Sequence, residues 1–347
     1  MKKVLFLSLK WEATGGYPSY VRHLFRGINM PDSGWIGMVA SCTLANQKIK
    51  DKSGLLIKSL AVGDKKIKDS IAFLQQFDAV HLIALPYGVD KKPELAERLY
   101  RILNFSETLF VTLHDPAVVK SNPYGIDYLR KRGECYFFHI GEMAKDFFEK
   151  SDNFNGEFIR HPYYRFNDKN GLEKENLAIN TSRIDFDKFT HLICEAGDKI
   201  KGKLVFHSHY KNAIYYWHYL KGKIEPYLSS QPFDIKEIYS PAKVLIDMSK
   251  IQHDGNRTQY TILEAIDFED VPIVRRGWFK DNPEFKLGEN YLEAETPEEI
   301  AEQTNRIFED EKLRVKIITN NKKVLVEYDA GRVAQQYIKA YEKYGRR

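Results

Sequence analysis

Long apolar runs are missing from this sequence. Stretches such as Val4 to Leu9 and Leu204 to Phe206 fall far short of the roughly 20 residues a bilayer-spanning helix needs, so no transmembrane segment is expected. Cysteine is scarce as well: Cys42, Cys135 and Cys194 are odd in number and widely spaced. That spacing argues against a disulfide framework or a metal site and favours buried thiols. No low-complexity tract and no internal repeat is visible. Lys2 and Lys3 give the positive start of a signal peptide, but the apolar stretch stops at Lys10 with no convincing small-residue cleavage site after it, so the expected location is the cytoplasm.

What is present describes a folded soluble protein. The chain has 347 residues, of which 43% are hydrophobic, 13% aromatic and 29% charged. That length suits two domains of roughly 150 residues, each large enough to bury its own core. The formal net charge of +5 permits an anionic partner without requiring one. Locally the bias is stronger: Lys48, Lys50, Lys52, Lys58, Lys65, Lys66 and Lys68 fall between Ser41 and Ser70, opposed only by Asp51, Asp64 and Asp69. This stretch is either a solvated surface or a basic groove that touches phosphates, with Lys48, Lys50, Lys65 and Lys66 as the contacts.

The hydrophobic pattern alternates between strand and helix. Val4 to Leu9 reads as a buried strand running into Thr14-Gly15-Gly16. Tyr20, Val21, Leu24, Phe25 and Ile28 then recur at helical spacing, closed by Gly27, Pro31 and Gly34. Ile36 to Ala40, Ala79 to Leu85, Leu109 to Leu113 and Tyr136 to Ile140 read as further strands, with helices over Lys92 to Leu103 and Met143 to Lys150. The spacing predicts a doubly wound α/β domain over residues 1–160. Residues 161–175 are polar and turn-rich and read as a linker. Over 176–330 a second alternation follows, with strands at Leu177 to Thr181, Lys203 to Phe206, Val244 to Asp247 and Ile273 to Val274, and helices at Thr258 to Ile266 and Pro297 to Phe308. The last helix, Ala334 to Tyr344 within 331–347, has no place in the second sheet's order and could cross back to the first domain. The expected fold class is α/β, two doubly wound Rossmann-like domains facing across a cleft, with ligand contacts from the carboxyl ends of both sheets.

Several residues at those ends carry chemistry. Arg183 and Lys188 follow the Leu177 to Thr181 strand and precede a helix, which suits a diphosphate. Arginine can hold two oxygens while lysine acts as a point charge. The alternative is a pair of cations on a solvated helix start. Asp185 and Asp187 spell Asp-x-Asp, a metal-binding pattern in some sugar transferases; lying between the two cations, they fit helix capping or local pairing better, and no metal is assigned. Glu264 sits in the helix opened by the Asp254 to Gln259 loop, where a carboxylate could accept both hydroxyls of a ribose or could simply be solvated. His207 and His209 would share one strand face without further metal ligands, and His207 better suits the lining of a nucleotide cleft. The run Tyr215-Tyr216-Trp217-His218-Tyr219 reads as packing rather than base stacking.

Together these motifs resemble the retaining GT-B glycosyltransferases. A strand ending in arginine (Arg183), lysine five residues later (Lys188), the helix Leu263-Glu264-Ala265 and the closing segment Gly288 to Leu292 with Thr296-Pro297-Glu298-Glu299-Ile300 match that family's nucleotide-binding half. Gly15-Gly16 matches its glycine turn, where backbone NH groups approach phosphate or sugar, and His114-Asp115 its His-Asp pair at a strand end. The resemblance implies that His114 bonds the donor sugar and that Asp115 lies near the acceptor hydroxyl. One departure stands out: the family often has a glutamate eight positions before Glu264, where this chain has Asn256, and Gln259 is a candidate to replace its function. The short form Tyr260-Thr261-Ile262-Leu263-Glu264, with the His-Asp pair and the compact length, is similar to the phage DNA α-glucosyltransferases.

The resemblance implies a UDP-sugar donor and front-face displacement with retained configuration, Arg183 and Lys188 stabilising the departing phosphate. No cofactor is implied, since the nucleotide-sugar is a substrate and a divalent metal is not required. The favoured acceptor is hydroxymethylated pyrimidine in duplex DNA, which places a phage-encoded protein in the host cytoplasm; the target base would then need turning out of the helix. The alternatives are an acceptor of cell-surface polysaccharide, teichoic acid or glycolipid synthesis, and a noncatalytic nucleotide or nucleic-acid binding protein. No obligate protein partner is evident.

Overall fold

The apolar run near the amino terminus becomes the centre of a large sheet. In the computed structural model, which describes residues 1–9, 11, 16–42, 49–50, 55–85, 93–105, 107–114, 122–152, 154, 156–167, 173–208, 213–229, 234–251, 258–280 and 282–345, the chain divides into two units. One comprises Met1–Tyr164 with Tyr328–Arg347, the other Arg165–Glu327.

The first unit's strands are β1 (Lys2–Ser8), β2 (Trp35–Ser41), β3 (Ile49–Lys50), β4 (Leu56–Ser59), β5 (Ala79–Ala84), β6 (Leu109–Leu113), β7 (Cys135–His139) and β8 (Gly156–Phe158). They form one sheet in the order β3-β4-β2-β1-β5-β6-β7-β8. All neighbours are parallel except the short β3, which runs antiparallel to β4. A parallel sheet needs helices on both faces, and its central strands are accordingly apolar on both sides: Val4 to Leu7 and Leu109 to Val111 are fully buried. The helices are α1 (Gly16–Ile28), α2 (Ile67–Leu74), α3 (Pro93–Arg101), α4 (Pro123–Arg132) and α5 (Glu142–Asp152). Helix α1 thus starts directly at Gly16. Strand order reverses between β1 and β5, so the topological switch point of this sheet, where open α/β sheets receive ligands, lies at the carboxyl ends of those two strands.

The C-terminal helix, Ala330–Tyr344, packs on α1. Contact is close enough that a Cβ on Gly27 would lie 2.1 Å from the Ala330 carbonyl oxygen. The helix begins earlier than its apolar periodicity indicates because Asp329 caps it, accepting the Arg332 NH at 2.9 Å.

Within the expected linker 161–175, the described residues 161–167 and 173–175 make hydrogen bonds inside one unit or the other. Tyr163 belongs to the first unit, donating its NH to the Tyr328 carbonyl at 2.6 Å and accepting from the Ala330 NH at 2.9 Å. From Arg165 onward the chain belongs to the second unit, where the buried Asp267 carboxylate collects Arg165 Nε at 2.9 Å, the Phe166 NH at 2.7 Å and the Asn167 NH at 3.0 Å. The segment is polar because it supplies donors to a buried acid. Lys174 does the converse, placing Nζ 2.6 Å from buried Asp270.

The second unit's strands are β9 (Leu177–Asn180), β10 (Lys203–Phe206), β11 (Val244–Asp247), β12 (Val271–Arg275) and β13 (Leu292–Ala294), all parallel in the order β10-β9-β11-β12-β13. Its longer helices are α6 (Thr190–Ala196), α7 (Ile235–Tyr239), α8 (Tyr260–Asp267), α9 (Pro297–Glu309) and α10 (Glu311–Glu327). Thr296 caps α9 by accepting the Glu299 NH at 3.2 Å, with Pro297 at the first helical position, as the Thr-Pro-Glu-Glu sequence dictates. The chain leaves β9 for β10 on one side and returns to β11 on the other, so the switch point lies between β9 and β11.

Candidate functional site

The loops that follow β9 and β11 are bound to each other at that switch point. Asp247, at the end of β11 and almost fully buried, accepts from Ser182 Oγ at 2.7 Å and from the Ser249 NH at 2.9 Å; the Ser249 hydroxyl also bonds to it. Lys188 reaches across and donates Nζ to Ser249 Oγ at 2.7 Å, while the Lys250 NH donates to the Asp187 carbonyl at 2.6 Å. Asn180 and Ser208 complete the clasp, Asn180 Nδ2 on the Ile246 carbonyl at 2.8 Å and Ser208 Oγ on the Ser182 carbonyl at 2.5 Å. Small hydroxyl residues at strand ends thereby fix two loops at the edge where an open α/β sheet receives ligands.

Both sequence-predicted cations stand on the β9 loop. Arg183 is partly exposed; its Nε lies 3.4 Å from Asp185 and its Nη2 pairs with Asp187. Asp185 also caps the short turn Phe186–Lys188 by accepting the Phe186 NH at 2.8 Å. The Asp-x-Asp pattern is therefore spent on one guanidinium and one turn. Beyond Lys188, Phe189 takes φ 44° and ψ 37°, a left-handed conformation that costs a non-glycine residue about 1–2 kcal/mol. Its ring is covered by the Arg275 guanidinium, 4.2 Å from the ring centroid, which offsets part of that cost. Nothing in the sequence marks this strained residue.

Glu264 lies on the buried side of α8, and burial pushes its carboxyl up to about 7. Tyr239 Oη donates to Glu264 Oε2 at 3.1 Å, which acts in the opposite sense, and the charge of Asp267 pushes it further up. Gln259 is the residue before α8 and is half-buried; its carbonyl accepts the Ile262 NH at 3.0 Å. His207 follows β10, and burial lowers its imidazole pKa. Three polar atoms on these loops and on α8, Asp187 Oδ1, His207 Nδ1 and Thr261 Oγ1, are buried with no hydrogen-bond partner among the described residues. Such orphans are uncommon and mark places a water or ligand would satisfy.

In the first unit, His114 directly follows β6 and donates Nε2–H to the Ile83 carbonyl at 2.7 Å, which leans it toward β5 beside that sheet's own switch point. The Tyr20 ring meets His114 edge-on at 5.0 Å between centroids. Tyr20 belongs to a buried polar chain that sequence reading missed. Tyr341 Oη lies 2.6 Å from His81 Nδ1, His81 Nε2 2.7 Å from Thr112 Oγ1, Thr112 Oγ1 3.1 Å from Tyr20 Oη, and Tyr20 Oη 2.7 Å from Tyr337 Oη. Burial holds His81 neutral, its pKa well below the usual value. The chain links strands to the C-terminal helix and was illegible because its hydrogen-bonded pairs are 31 to 317 residues apart. Gly16 opens α1, and Lys65 and Lys66 are exposed on the turn before α2, beside Asp64, which Arg98 and Arg101 neutralise. Gly15, Lys48, Asp115, His209 and Asn256 lie outside the described residues, as does the side chain of Lys50.

No family model matches the chain, and no curated protein matches it. Solved structures do resemble it. Anabaena Alr3699/HepE in complex with UDP and glucose is 12% identical with a TM-score of 0.72, covering 99% of this chain and 100% of that one. An alpha-glucosyltransferase in complex with UDP and a 13-mer DNA is 11% identical with a TM-score of 0.75 over 99% and 100%. S. aureus TarM in complex with Fondaparinux, alpha-GlcNAc-glycerol and UDP is 7% identical with a TM-score of 0.73 over 98% and 100%. These likenesses show the fold: two α/β units built on wholly or mostly parallel sheets, the GT-B fold. Among the described residues, no helix is long and apolar enough to cross a membrane.

Proposed function

We propose that this chain is a retaining glycosyltransferase that moves a hexose from a nucleotide-sugar, a UDP-sugar, to a hydroxyl. The observation that carries the reading is the clasp at the β9/β11 switch point, which holds Arg183 and Lys188 on one short loop within a fold whose solved likenesses include complexes with UDP. In the reaction the acceptor oxygen bonds to the anomeric carbon as the bond from that carbon to the β-phosphate oxygen breaks. The electron pair leaves with the phosphate, and a departing phosphate oxygen takes the acceptor proton. Arg183 offers guanidinium donors not committed to Asp185 and Asp187; Lys188 exchanges Ser249 for a phosphate oxygen. Removing one such donor typically costs 10² to 10³ in turnover. Glu264 is assigned the ribose hydroxyls and Gln259 and His207 the nucleotide; by the resemblance, His114 would bond the donor sugar and Asp115 would serve the acceptor hydroxyl.

For the acceptor we favour hydroxymethylated pyrimidine in duplex DNA. The exposed Lys65 and Lys66 would neutralise phosphates, and the alpha-glucosyltransferase of like fold was solved with DNA. A second reading, a glycan or glycolipid acceptor, draws on the comparable fold likeness to TarM, solved with alpha-GlcNAc-glycerol, at a TM-score of 0.73 against 0.75. Supplying labelled UDP-glucose with hydroxymethylated DNA and with polyol or lipid acceptors separates them: label in DNA supports the first, and label only in the others replaces it. UDP binding without any transfer or hydrolysis would point to a noncatalytic binding protein.

A further inference from the structure

The carboxylate of Glu264 is reached from a different element. Tyr239, at the end of α7 and fully buried, donates Oη–H to Glu264 Oε2 at 3.1 Å and lies 2.8 Å from Thr181 Oγ1. A phenol has one proton to give. When Glu264 is ionised and takes that proton, the short Thr181 contact requires the threonine hydroxyl to donate to the tyrosine oxygen. The three groups thus form one directed chain, Thr181 to Tyr239 to Glu264. Thr181 is also the residue after β9, two positions before Arg183, so the chain joins the cation loop to helix α8.

We propose that Tyr239, backed by Thr181, is a positioning residue that holds Glu264 aimed and ionised for the nucleotide ribose; this rests on the reading of Glu264 as the ribose acceptor. A carboxylate buried in an apolar helix face loses hydration, and a hydroxyl donor is what restores the charged form. The other charged groups near it do not substitute. Asp267, on the same helix, repels it and is itself occupied by Arg165 and the 166–167 backbone. Asp270 is paired with Lys174, and Arg314 and Lys322 of α10 both engage Glu269, through its carbonyl and its carboxylate. Asp247 of β11 is taken by Ser182 and Ser249, and Arg275 of β12 by Glu295. Tyr239 is the donor that Glu264 is given from outside its own helix among the described contacts.

The test is UDP binding to the full chain between pH 5.5 and 9, for wild type, Tyr239→Phe, Thr181→Val and Glu264→Gln. Removing a hydroxyl donor to a charged acceptor is worth about one pH unit. Tyr239→Phe should therefore move the acid limb of the binding profile upward by about one unit, with roughly tenfold weaker binding at pH 6 and near-normal binding at pH 9. Thr181→Val should shift it in the same direction by less, and reports even where Tyr239→Phe folds poorly. A wild-type profile in either folded hydroxyl variant, alongside weak binding by Glu264→Gln, would overturn the positioning role and leave Glu264 in place. Wild-type affinity in Glu264→Gln would overturn the ribose reading itself.

Discussion

Replacing Glu264 by glutamine should change how stability depends on pH. The carboxyl is raised from 4.5 to about 7 in the folded chain, chiefly by burial. Below pH 4.5 the acid is protonated folded and unfolded alike, so it contributes no difference. As pH rises toward 7, the unfolded chain ionises freely in water while the folded chain must either keep the proton or bear a buried charge. The folded state binds more protons across that window, so stability falls as pH rises. About 2.5 pH units at 1.36 kcal/mol each makes the full loss about 3 kcal/mol. Glutamine keeps the shape and still accepts from Tyr239, but cannot ionise. Urea denaturation at pH 4.5 and pH 8 should show wild type losing about 3 kcal/mol more than Glu264→Gln over that interval. Parallel pH profiles for the two proteins would refute the buried, proton-holding state of Glu264. If Glu264 receives the ribose as proposed, the same linkage predicts that UDP binding releases a proton below pH 7, since ribose hydroxyls are best received by the charged acid.

Other expectations follow from the same contacts. Arg183→Ala should lower sugar transfer about 10²- to 10³-fold with an unchanged fold, because the side chain is partly exposed and pairs only within its own loop in the contacts described; wild-type turnover would remove it from the mechanism. Gly27→Ala should cost about 1–3 kcal/mol or more, since the new methyl meets the Ala330 carbonyl, and a neutral result in thermal or urea unfolding would dispute the docking of the C-terminal helix on α1. Changing Lys65 and Lys66 together to alanine should weaken DNA binding and lower its salt dependence by about two phosphate contacts while the donor KM stays the same; an unchanged salt slope would place the DNA elsewhere.

Much of the architecture could be read before any coordinates. β6 and β11 lie where their apolar runs place them, because a central strand is buried on both faces and β11 turns polar only at its terminal Asp247. The short strands β3, β4, β8 and β13, at or next to the sheet edges, were missed because two to four residues leave no periodic signal. Helix α10 escaped notice because Lys and Asn interrupt its apolar positions, although Ile317, Ile318, Val324 and Leu325 are buried. Arg183, Lys188 and Glu264 could be named from spacing, since strand-end cations and a helix-borne acid are local features. Their partners could not. Ser249 is 61 residues from Lys188 and Tyr239 is 25 from Glu264, and only the strand order brings them together. The polarity of residues 165–167 misled for a related reason: donors serving a buried acid 100 residues away look in sequence like those of a loose connection.

The most direct measurement is calorimetric titration of UDP into the wild-type chain and into a variant with Arg183 and Lys188 both changed to alanine. Saturable binding by wild type, weakened at least about tenfold in the folded double variant, is expected of a loop that grips a diphosphate. Equal affinity in the two proteins would contradict the placement of the nucleotide on the β9 loop and, with it, the proposed transfer.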